Sequence, residues 1–363
     1  MMRCSLLALV ICATAFADEE PSFSGRKASE WVTILQTHAN PRLREAAVIA
    51  LSQIGTTSKH SLPFLRAALR EDKAPNVRRR IVTVFALVKK EESAQIVIDL
   101  SEVLKRDMDA SVRSATATAL GQFGDAAKPA LPSLLPLLKD ADVLTRAAAA
   151  ETIGRIGVDA RSAIPDLTTL LKDPDKTVRL YAIYALGRMG AEGATATTDL
   201  TTALTTSEAA DIRREIVRTI GLIGPDAKAA IPVLIDVLAK DMAVEVRQEV
   251  VNALIRLGIA AKDSAPALIE ALRKDKDKSV RTFAVRAIII VLGENAKSAV
   301  PDIAACLDKE EIGDVRLAII DELAAMGPDA AAAIPALMNA QKDTQLSVRD
   351  SAGLALKKVR AKQ

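Results

Sequence analysis

Residues 213–241 read RREIVRTIGLIGPDAKAAIPVLIDVLAKD and hold one complete unit of the pattern that decides the fold. Counting from Arg213, apolar residues recur three, four, seven and ten positions further on, which is one face of a helix with 3.6 residues per turn. Gly224 stands where a left-handed glycine cap ends such a helix. Pro232 opens a shorter helix, because proline is favoured at a first helical position, where its missing N–H had no partner. The segment therefore predicts a helix, a stop and a second helix.

The same unit recurs along nearly the whole chain, and its clearest marker is an arginine near the start of the longer helix. The marker arginines, which number repeats one to ten in this order, are Arg44, Arg78, Arg113, Arg146, Arg179, Arg213, Arg247, Arg281, Arg316 and Arg349. Their spacing stays between 33 and 35 residues. A period this regular predicts an array of about ten two-helix units and leaves no room for an inserted catalytic domain.

An acidic column lies six residues before the marker arginine. With the arginines that follow, it comprises Asp72 and Arg78, Asp107 and Arg113, Asp140 and Arg146, Asp173 and Arg179, Asp241 and Arg247, Asp275 and Arg281, and Asp343 and Arg349; His38, Ser207 and Glu310 replace the aspartate in the other three repeats. Such an aspartate can cap the following helix or accept hydrogen bonds from an arginine near that helix start. We predict a structural ladder that holds the repeats in register, rather than a set of catalytic carboxylates.

These residues resemble the HEAT repeat family, and more closely its bacterial HEAT-like variety found alongside phycobilin lyases. The resemblance rests on the Asp-x5-Arg step, on the helix end of the Leu-Gly-x-Ile-Gly type at 220–224, and on the Ala-Ile-Pro-x-Leu helix start at 230–234. It covers roughly residues 27–360. It implies an all-α, right-handed α-solenoid in which the second helix of each pair lines the concave face. A HEAT fold implies little about activity.

Composition excludes several classes of function. Half of the 363 residues are hydrophobic, 26% are charged and only 2% are aromatic. So few aromatic rings argue against a module that stacks nucleic-acid bases. The formal net charge of +3 is too small for a general polyanion binder. We therefore expect no nucleic-acid partner.

The N-terminus predicts export. Arg3 precedes an apolar run from Cys4 to Ala17 that ends in Ala-Phe-Ala, the small-residue pattern of a cleavage site. We predict a signal peptide at 1–17, a short linker at 18–26 and the solenoid at 27–360, with a periplasmic or secreted destination. The run is too short for a comfortable membrane span, so no integral span is expected. Alternatives are an uncleaved anchor and a lipoprotein using Cys12, for which Ile11 is a poor preceding residue.

Ligands for chemistry are scarce in this sequence. Cleavage would leave Cys306 as the single cysteine, in an apolar run that suggests a small core residue rather than a reactive thiol. His38 and His60 lack a second histidine at metal spacing. Phosphate-binding loops, dinucleotide fingerprints and nucleophile elbows are missing from the sequence. We predict no catalytic, cofactor-binding or metal site.

One polar stripe of the second helices is the remaining indication of function. Positions two, five and nine after the marker face away from the apolar side. In repeats four to eight the stripe carries Arg155, Tyr181, Tyr184, Arg188, Arg218, Arg256, Phe283 and Arg286. Arginine suits bidentate recognition of carboxylate or phosphate, and Tyr and Arg are frequent interface anchors. The stripe is either a solvated helix face or a groove for an acidic partner.

Two repeats depart from the pattern. Repeat two has Lys89 and Val97 where glycine and proline are expected, and repeat five has Thr198 in place of proline, within a threonine-rich run at 195–206. These are expected to be looser units, and a partner site there is a weaker alternative.

The leading hypothesis is a non-enzymatic, exported, monomeric scaffold that binds a protein or extended peptide on its concave face. One alternative, by resemblance alone, is a bilin-lyase-like protein that cradles a tetrapyrrole, which an export signal disfavours. Another is a purely structural module of a larger assembly.

Overall fold

The computed structural model describes residues 20–361, so the predicted signal peptide at 1–17 lies outside the described residues. The chain divides into two compact units, one ending at Asp99 and the other beginning at Leu100. Each unit is built almost entirely of helices, as the repeat pattern predicts.

The first unit begins with a β-hairpin and continues with paired helices. Its elements are β1 Ser22–Phe23, β2 Arg26–Lys27, α1 Ala28–Thr37, α2 Pro41–Gly55, α3 Leu62–Glu71, α4 Pro75–Phe85 and a 3₁₀ helix at Lys90–Glu92. Helix α5, Ala94–Arg106, contains the boundary between the two units.

The hairpin occupies most of the described part of the segment predicted to be a linker. Strands β1 and β2 pair antiparallel through a turn at Ser24 and Gly25, both of which have positive φ. The indole N–H of Trp31 donates to the carbonyl oxygen of Phe23 at 3.0 Å, and the Arg26 guanidinium lies 5.1 Å from the centre of the Trp31 ring. Trp31, which belongs to helix α1, thus fixes the chain that precedes this helix.

The second unit repeats a short first helix and a longer second helix. The second helices are α6 Ala110–Gly121, α8 Val143–Ile156, α10 Lys176–Arg188, α12 Ala210–Ile223, α14 Val244–Leu257, α16 Lys278–Leu292, α18 Gly313–Met326 and α20 Leu346–Val359. The first helices are α7 Leu131–Leu134, α9 Ile164–Leu170, α11 Thr197–Thr206, α13 Ile231–Lys240, α15 Ala265–Lys274, α17 Val300–Leu307 and α19 Ile334–Ala340. The 3₁₀ helices are Gly124–Ala130, Leu135–Lys139, Gly157–Ala163, Gly190–Ala196, Gly224–Ala230, Gly258–Ser264, Gly293–Ala299 and Gly327–Ala333.

The core follows the predicted apolar face of the second helices. The residue seven positions after the marker arginine is buried in every repeat, as Leu186 is in α10. The residue ten positions after it is buried in most repeats, whereas Ile54 and Met326 are half-buried. Burial of these aliphatic side chains is the main source of the unit's stability.

The glycines that end the second helices have the predicted sign of φ but not the predicted conformation. Gly157 has φ 78° and ψ −144°, and Gly224 has φ 79° and ψ −151°. This region lies outside the left-handed helix and is open almost only to glycine. A seven-residue 3₁₀ segment begins at each of these glycines, and the proline comes second in the next helix, as Pro165 does in α9. The proline therefore lies in the first turn of the helix, one residue after the predicted first position, and the 3₁₀ connector was not predicted.

A second glycine, three residues earlier, lets consecutive second helices approach each other closely. A Cβ atom at Gly154 would lie 2.9 Å from the Cα of Ala185, and one at Gly221 would lie 3.0 Å from the Cα of Ala253. Because the obstructing atoms belong to backbone, the neighbouring helix could not give way by a side-chain rotation. These positions therefore set the distance between repeats.

We predict that Gly154→Ala lowers the free energy of unfolding by about 1–3 kcal/mol through overpacking, despite the better helix propensity of alanine. Gly353→Ala in α20 is the matched control, since its Cβ would meet its nearest neighbour, Nε2 of Gln341, at 3.4 Å. That substitution should raise stability by about 0.5–1 kcal/mol. Urea unfolding of both variants measures the difference, and equal stabilisation by the two alanines would contradict the close-packing role.

Candidate functional site

The marker arginine joins each repeat to the next. In repeat six, Nη1 of Arg213 donates to the carbonyl oxygens of Ser207 and Glu208, in the turn before its own helix, at 3.2 and 2.7 Å. Its Nε and Nη2 donate to the carboxylate of Asp241, one repeat further on, at 2.7 and 2.8 Å. The planar guanidinium thus binds its own turn with one edge and the following turn with the other.

The same bidentate contact, here called a rung of the arginine ladder, recurs through both units. Rungs with both Nε and Nη2 hydrogen bonds, at 2.7–3.1 Å, are Arg44–Asp72, Arg113–Asp140, Arg146–Asp173, Arg213–Asp241, Arg247–Asp275 and Arg281–Glu310. Arg316 and Asp343 form a further rung, with a shortest N–O distance of 2.7 Å. Arg78 and Arg349 bind the carbonyl oxygens of Asp72 and Asp343 in their own turns at 2.7 Å.

The two roles left open for the aspartate column are now separated. Asp173 accepts from Arg146 and from the backbone N–H of Asp175, two residues on, at 2.9 Å. The cap of helix α10 is Asp175, whose carboxylate accepts from the N–H groups of Thr177 and Val178. The column aspartate therefore shapes the turn and binds the arginine, and another residue caps the helix. Asp107, in the same column, likewise accepts from the N–H of Asp109 at 3.0 Å.

In a rung, the pKa values of both partners are shifted in favour of their charged forms, as Arg146 and Asp173 show. Burial raises the pKa of Asp173, but the hydrogen bonds from Arg146 and from the Asp175 N–H outweigh burial and hold that pKa below its usual value. The hydrogen bond to Asp173 in turn raises the pKa of Arg146, against the effect of burial. Both side chains are about nine-tenths buried, at 12% and 7% exposed, so each pair lies where an unpaired charge would be costly.

Two substitutions in the acidic column have opposite outcomes. Glu310 keeps the rung, since its longer side chain reaches Arg281 at 2.8 and 3.0 Å. Ser207 carries no carboxylate for Arg179. The Nη1 atom of Arg179 still donates to the carbonyl oxygens of Asp173 and Pro174 at 2.7 and 2.9 Å, but within residues 20–361 its Nε and Nη2 have no hydrogen-bonding partner. The serine is visible in the sequence. That it leaves Arg179 without a carboxylate can be inferred only from the structure, in which the marker arginines bind the acid of the following repeat.

The predicted binding stripe lies on the second helices α8 to α16. Arg155 is on α8, Arg218 on α12 and Arg256 on α14. Tyr181, Tyr184 and Arg188 share α10, whereas Phe283 and Arg286 share α16. Arg188, Arg218, Arg256 and Arg286 are exposed, while Arg155 and Tyr181 are half-buried.

Close glycine contacts join parts of the stripe into one surface. The glycine eight residues after a marker leaves a notch in one second helix, and a stripe side chain of the next repeat lies in it. Arg155 would lie 3.3 Å from a Cβ at Gly121, Tyr184 2.9 Å from one at Gly154, and Arg256 3.2 Å from one at Gly221. At Gly121 the contacting atom is the aliphatic Cδ of Arg155, which gains packing in the notch, whereas at Gly221 it is the guanidinium Nη1 of Arg256.

Most of the stripe arginines are engaged with glutamates of their own helices. Arg155 contacts Glu151 at 2.7 Å and Arg256 contacts Glu249 at 2.8 Å, whereas Arg218 approaches Glu215 at 3.8 Å. Burial raises the pKa of Glu322 on α18 above its usual value, and the charge of Arg286 offsets that rise only in part. In the described part of the chain, Arg188 has no ion-pair partner. The positive charge of the stripe is therefore least compensated at Arg188.

Leu222 belongs to this surface and was missed by the sequence analysis. It stands nine residues after Arg213, where repeats four, five and seven have arginine, and it lies in the notch of Gly187, 3.4 Å from a Cβ there. Leu222, Tyr184 and Phe283 are 47%, 37% and 45% exposed. The signal that could have found Leu222 is the conjunction of an apolar residue with a stripe position. The stripe thus combines exposed apolar groups with arginines, as interface cores often do.

Across residues 20–361, no cluster of three His, Cys, Asp or Glu side chains has a geometry able to hold a metal ion, and no helix is long and apolar enough to cross a membrane. Cys306 is 6% exposed, and burial raises the pKa of its thiol, which confirms a core position.

The fold and the ladder define a helical-repeat protein of the solenoid class. The family described as HEAT repeats matches residues 28–102, 99–160, 131–206, 197–289 and 265–357, so the chain belongs to the HEAT repeat family. A search of curated protein sequences finds no significant match.

Solved structures with the same fold share little sequence with this chain. An engineered protein aligns over 92% of this chain and 99% of its own, with 19% identity and a TM-score of 0.56. The karyopherin Kap121p, bound to the extreme C-terminus of the protein phosphatase Cdc14p, aligns over 92% of this chain with 14% identity and a TM-score of 0.58. Kap95p, solved with RanGDP, aligns over 91% of this chain with 14% identity and a TM-score of 0.57. The chain spans 41% of that Kap121p chain and 50% of that Kap95p chain. At these identities the likeness establishes the fold alone.

We predict that Asp173→Ala lowers the free energy of unfolding by about 2 kcal/mol, because it leaves Arg146 without its charged acceptor in a mostly buried place. Asp159→Ala is the control. It removes a carboxylate that binds Lys128 in an exposed pair, at 56% and 46% exposed, and should cost no more than about 0.5 kcal/mol. Denaturant unfolding of both variants tests the contrast; equal losses would remove the special role of the ladder.

Proposed function

We propose that this chain is a non-enzymatic scaffold that binds a protein or extended peptide on the face of its second helices. The observation that carries the proposal is the notched surface of the stripe, where arginines and exposed apolar side chains of successive repeats lie against one another's helices. Second helices line the concave face in HEAT proteins, and repeated units offer an extended surface. The karyopherins of similar fold were solved with bound proteins.

The partner is acidic where it meets the stripe. Five arginines against Glu151, Glu215 and Glu249 leave the stripe with an excess of positive charge, greatest around Arg188. An acidic segment running along the face would meet Tyr184, Leu222 and Arg188 within neighbouring repeats. Arginine–carboxylate contacts at a partly exposed groove contribute about 0.5–1.5 kcal/mol each.

The combined change of Arg188, Arg218 and Arg256 to Glu should weaken partner binding at least tenfold, since tenfold requires only about 1.4 kcal/mol. Partners are first captured from the envelope fraction with the wild-type chain and identified, and their affinities are then measured at low and high salt. Helix content should stay unchanged because these side chains are exposed.

A matched control reverses three charges on the other helices of the array. Lys139, Lys240 and Lys274 are exposed, and each binds a nearby carboxylate. Changing these three lysines to Glu alters the net charge of the protein by the same amount as the three stripe substitutions. We expect affinity within threefold of wild type for this control. If the stripe variant binds as tightly as the control, the stripe is only a solvated helix face.

Export belongs to the same proposal and rests on the pattern of residues 1–17. We expect the native protein in the envelope or medium to begin at Asp18. N-terminal sequencing of the chain isolated from those fractions checks this, and a native chain that retains Met1 in the cell interior would contradict export.

A further inference from the structure

A cavity lies beside the turn that carries Ser207, at the place where a rung would have its carboxylate. The cavity has a volume of about 440 Å³ and lies within the second unit, between helices α9, α10, α11 and α12. Comparable recesses at the Arg281–Glu310 and Arg316–Asp343 rungs have about 290 and 320 Å³. Both of those recesses already contain the acid that binds the arginine.

The guanidinium of Arg179 is held ready at this cavity. Its Nη1 atom keeps both carbonyl contacts that position every other rung arginine, at 2.7 and 2.9 Å. In the rungs on either side, Arg146 and Arg213 use Nε and Nη2 to bind a carboxylate. At Arg179 the same two donors have no partner within residues 20–361, and the side chain lines the cavity. The neighbouring rungs therefore act as a template for where a carboxylate binds.

The residues that line the cavity indicate the chemistry of the rest of a ligand that carries this carboxylate. Leu171, Ile183, Ile212 and Ile216 are buried and form an apolar floor. Lys172, Asp199 and Glu208 are exposed at the opening, and with Arg179 their formal charges cancel. Thr168, Thr202 and Thr206 also line the cavity, with hydroxyls that donate to carbonyl oxygens of their own helices. A cavity of several hundred Å³ that combines an apolar floor with a few polar groups is typical of sites for small ligands.

We propose that Arg179 binds the carboxylate of a small organic acid whose short apolar body fills this cavity, in the place that an aspartate occupies at other rungs. This site uses none of the stripe residues, so it is independent of the proposed partner-binding face. The acid accepts from Nε and Nη2 of Arg179, while Leu171 and Ile183 contact its apolar part.

Ser207→Asp provides the sharpest test, because it supplies the missing carboxylate from the chain itself. Ser207 has φ −81° and ψ 126°, close to the φ −64° and ψ 131° of Asp241, so the backbone already accommodates an aspartate. The variant should melt higher than wild type, which means that a loss of ligand binding cannot arise from unfolding. Ser207→Ala keeps the site open and serves as the control.

The probes are 4-methylpentanoate and phenylacetate, each compared with its neutral amide, on the full chain. We expect both acids to raise the melting temperature of wild type and Ser207→Ala saturably, and to bind at least tenfold more tightly than their amides by calorimetry. Ser207→Asp and Arg179→Ala should each weaken acid binding at least tenfold. Glu208→Gln should bind the acids at least as well as wild type.

Several results would overturn the proposal. The first is an absence of saturable binding of either acid to wild type, and the second is equal binding of acids and amides. The third is undiminished acid binding by Ser207→Asp. A fourth is a drop in melting temperature with Glu208→Gln while Ser207→Asp brings no gain, which would assign Glu208, rather than a ligand, as the partner of Arg179.

Discussion

The arrangement of the repeats depends on a guanidinium that is shared between two turns. In each rung, one edge of the marker arginine donates to backbone carbonyl oxygens of its own turn, and the other edge donates to a carboxylate of the next turn. Because both ends of this contact are fixed in direction, each rung specifies where the following repeat begins as well as adding stability. The apolar helix faces supply most of the stabilising free energy, but burial is non-directional and alone would allow neighbouring repeats to slide.

Glycine provides the complementary constraint on distance. Rungs hold consecutive repeats at the turns, and the notches at Gly121, Gly154 and Gly221 let the second helices come close enough for stripe side chains to lie across them. Surface composition and helix packing are therefore connected. A larger residue in a notch would separate the helices and also displace the arginine or tyrosine that rests there.

Much of this organisation was readable from the sequence, and the failures have physical causes. The period, the buried column at Leu186 and its equivalents, and Pro165 in a first turn all follow from local helix geometry. The contact from Arg146 to Asp173, 27 residues ahead, could not be predicted in this way. The repeated pattern is the same whether an arginine binds the aspartate of its own repeat or that of the following repeat. The ion pairs of Arg155 and Arg256 were likewise hidden, since helical spacing places charges on a face without choosing rotamers. The hairpin at 22–27 is held by a tryptophan contact that no periodicity announces.

The serine at position 207 also bears on how the array comes apart. Stacked repeats behave approximately as a one-dimensional chain in which each unit is stabilised by coupling to its nearest neighbours. Every junction that includes a rung carries a mostly buried charged contact. The junction between repeats five and six lacks one and keeps its apolar packing, the hydrogen bond from Thr219 to the carbonyl oxygen of Ile183 and the exposed Lys176–Asp211 ion pair. Separating folded from unfolded repeats at that junction therefore costs less free energy than at a junction with a rung. Partly unfolded states in which one block of repeats is frayed and the other intact should have their boundary there more often than at a junction with a rung, so a single missing carboxylate lowers the cooperativity of the array at this place.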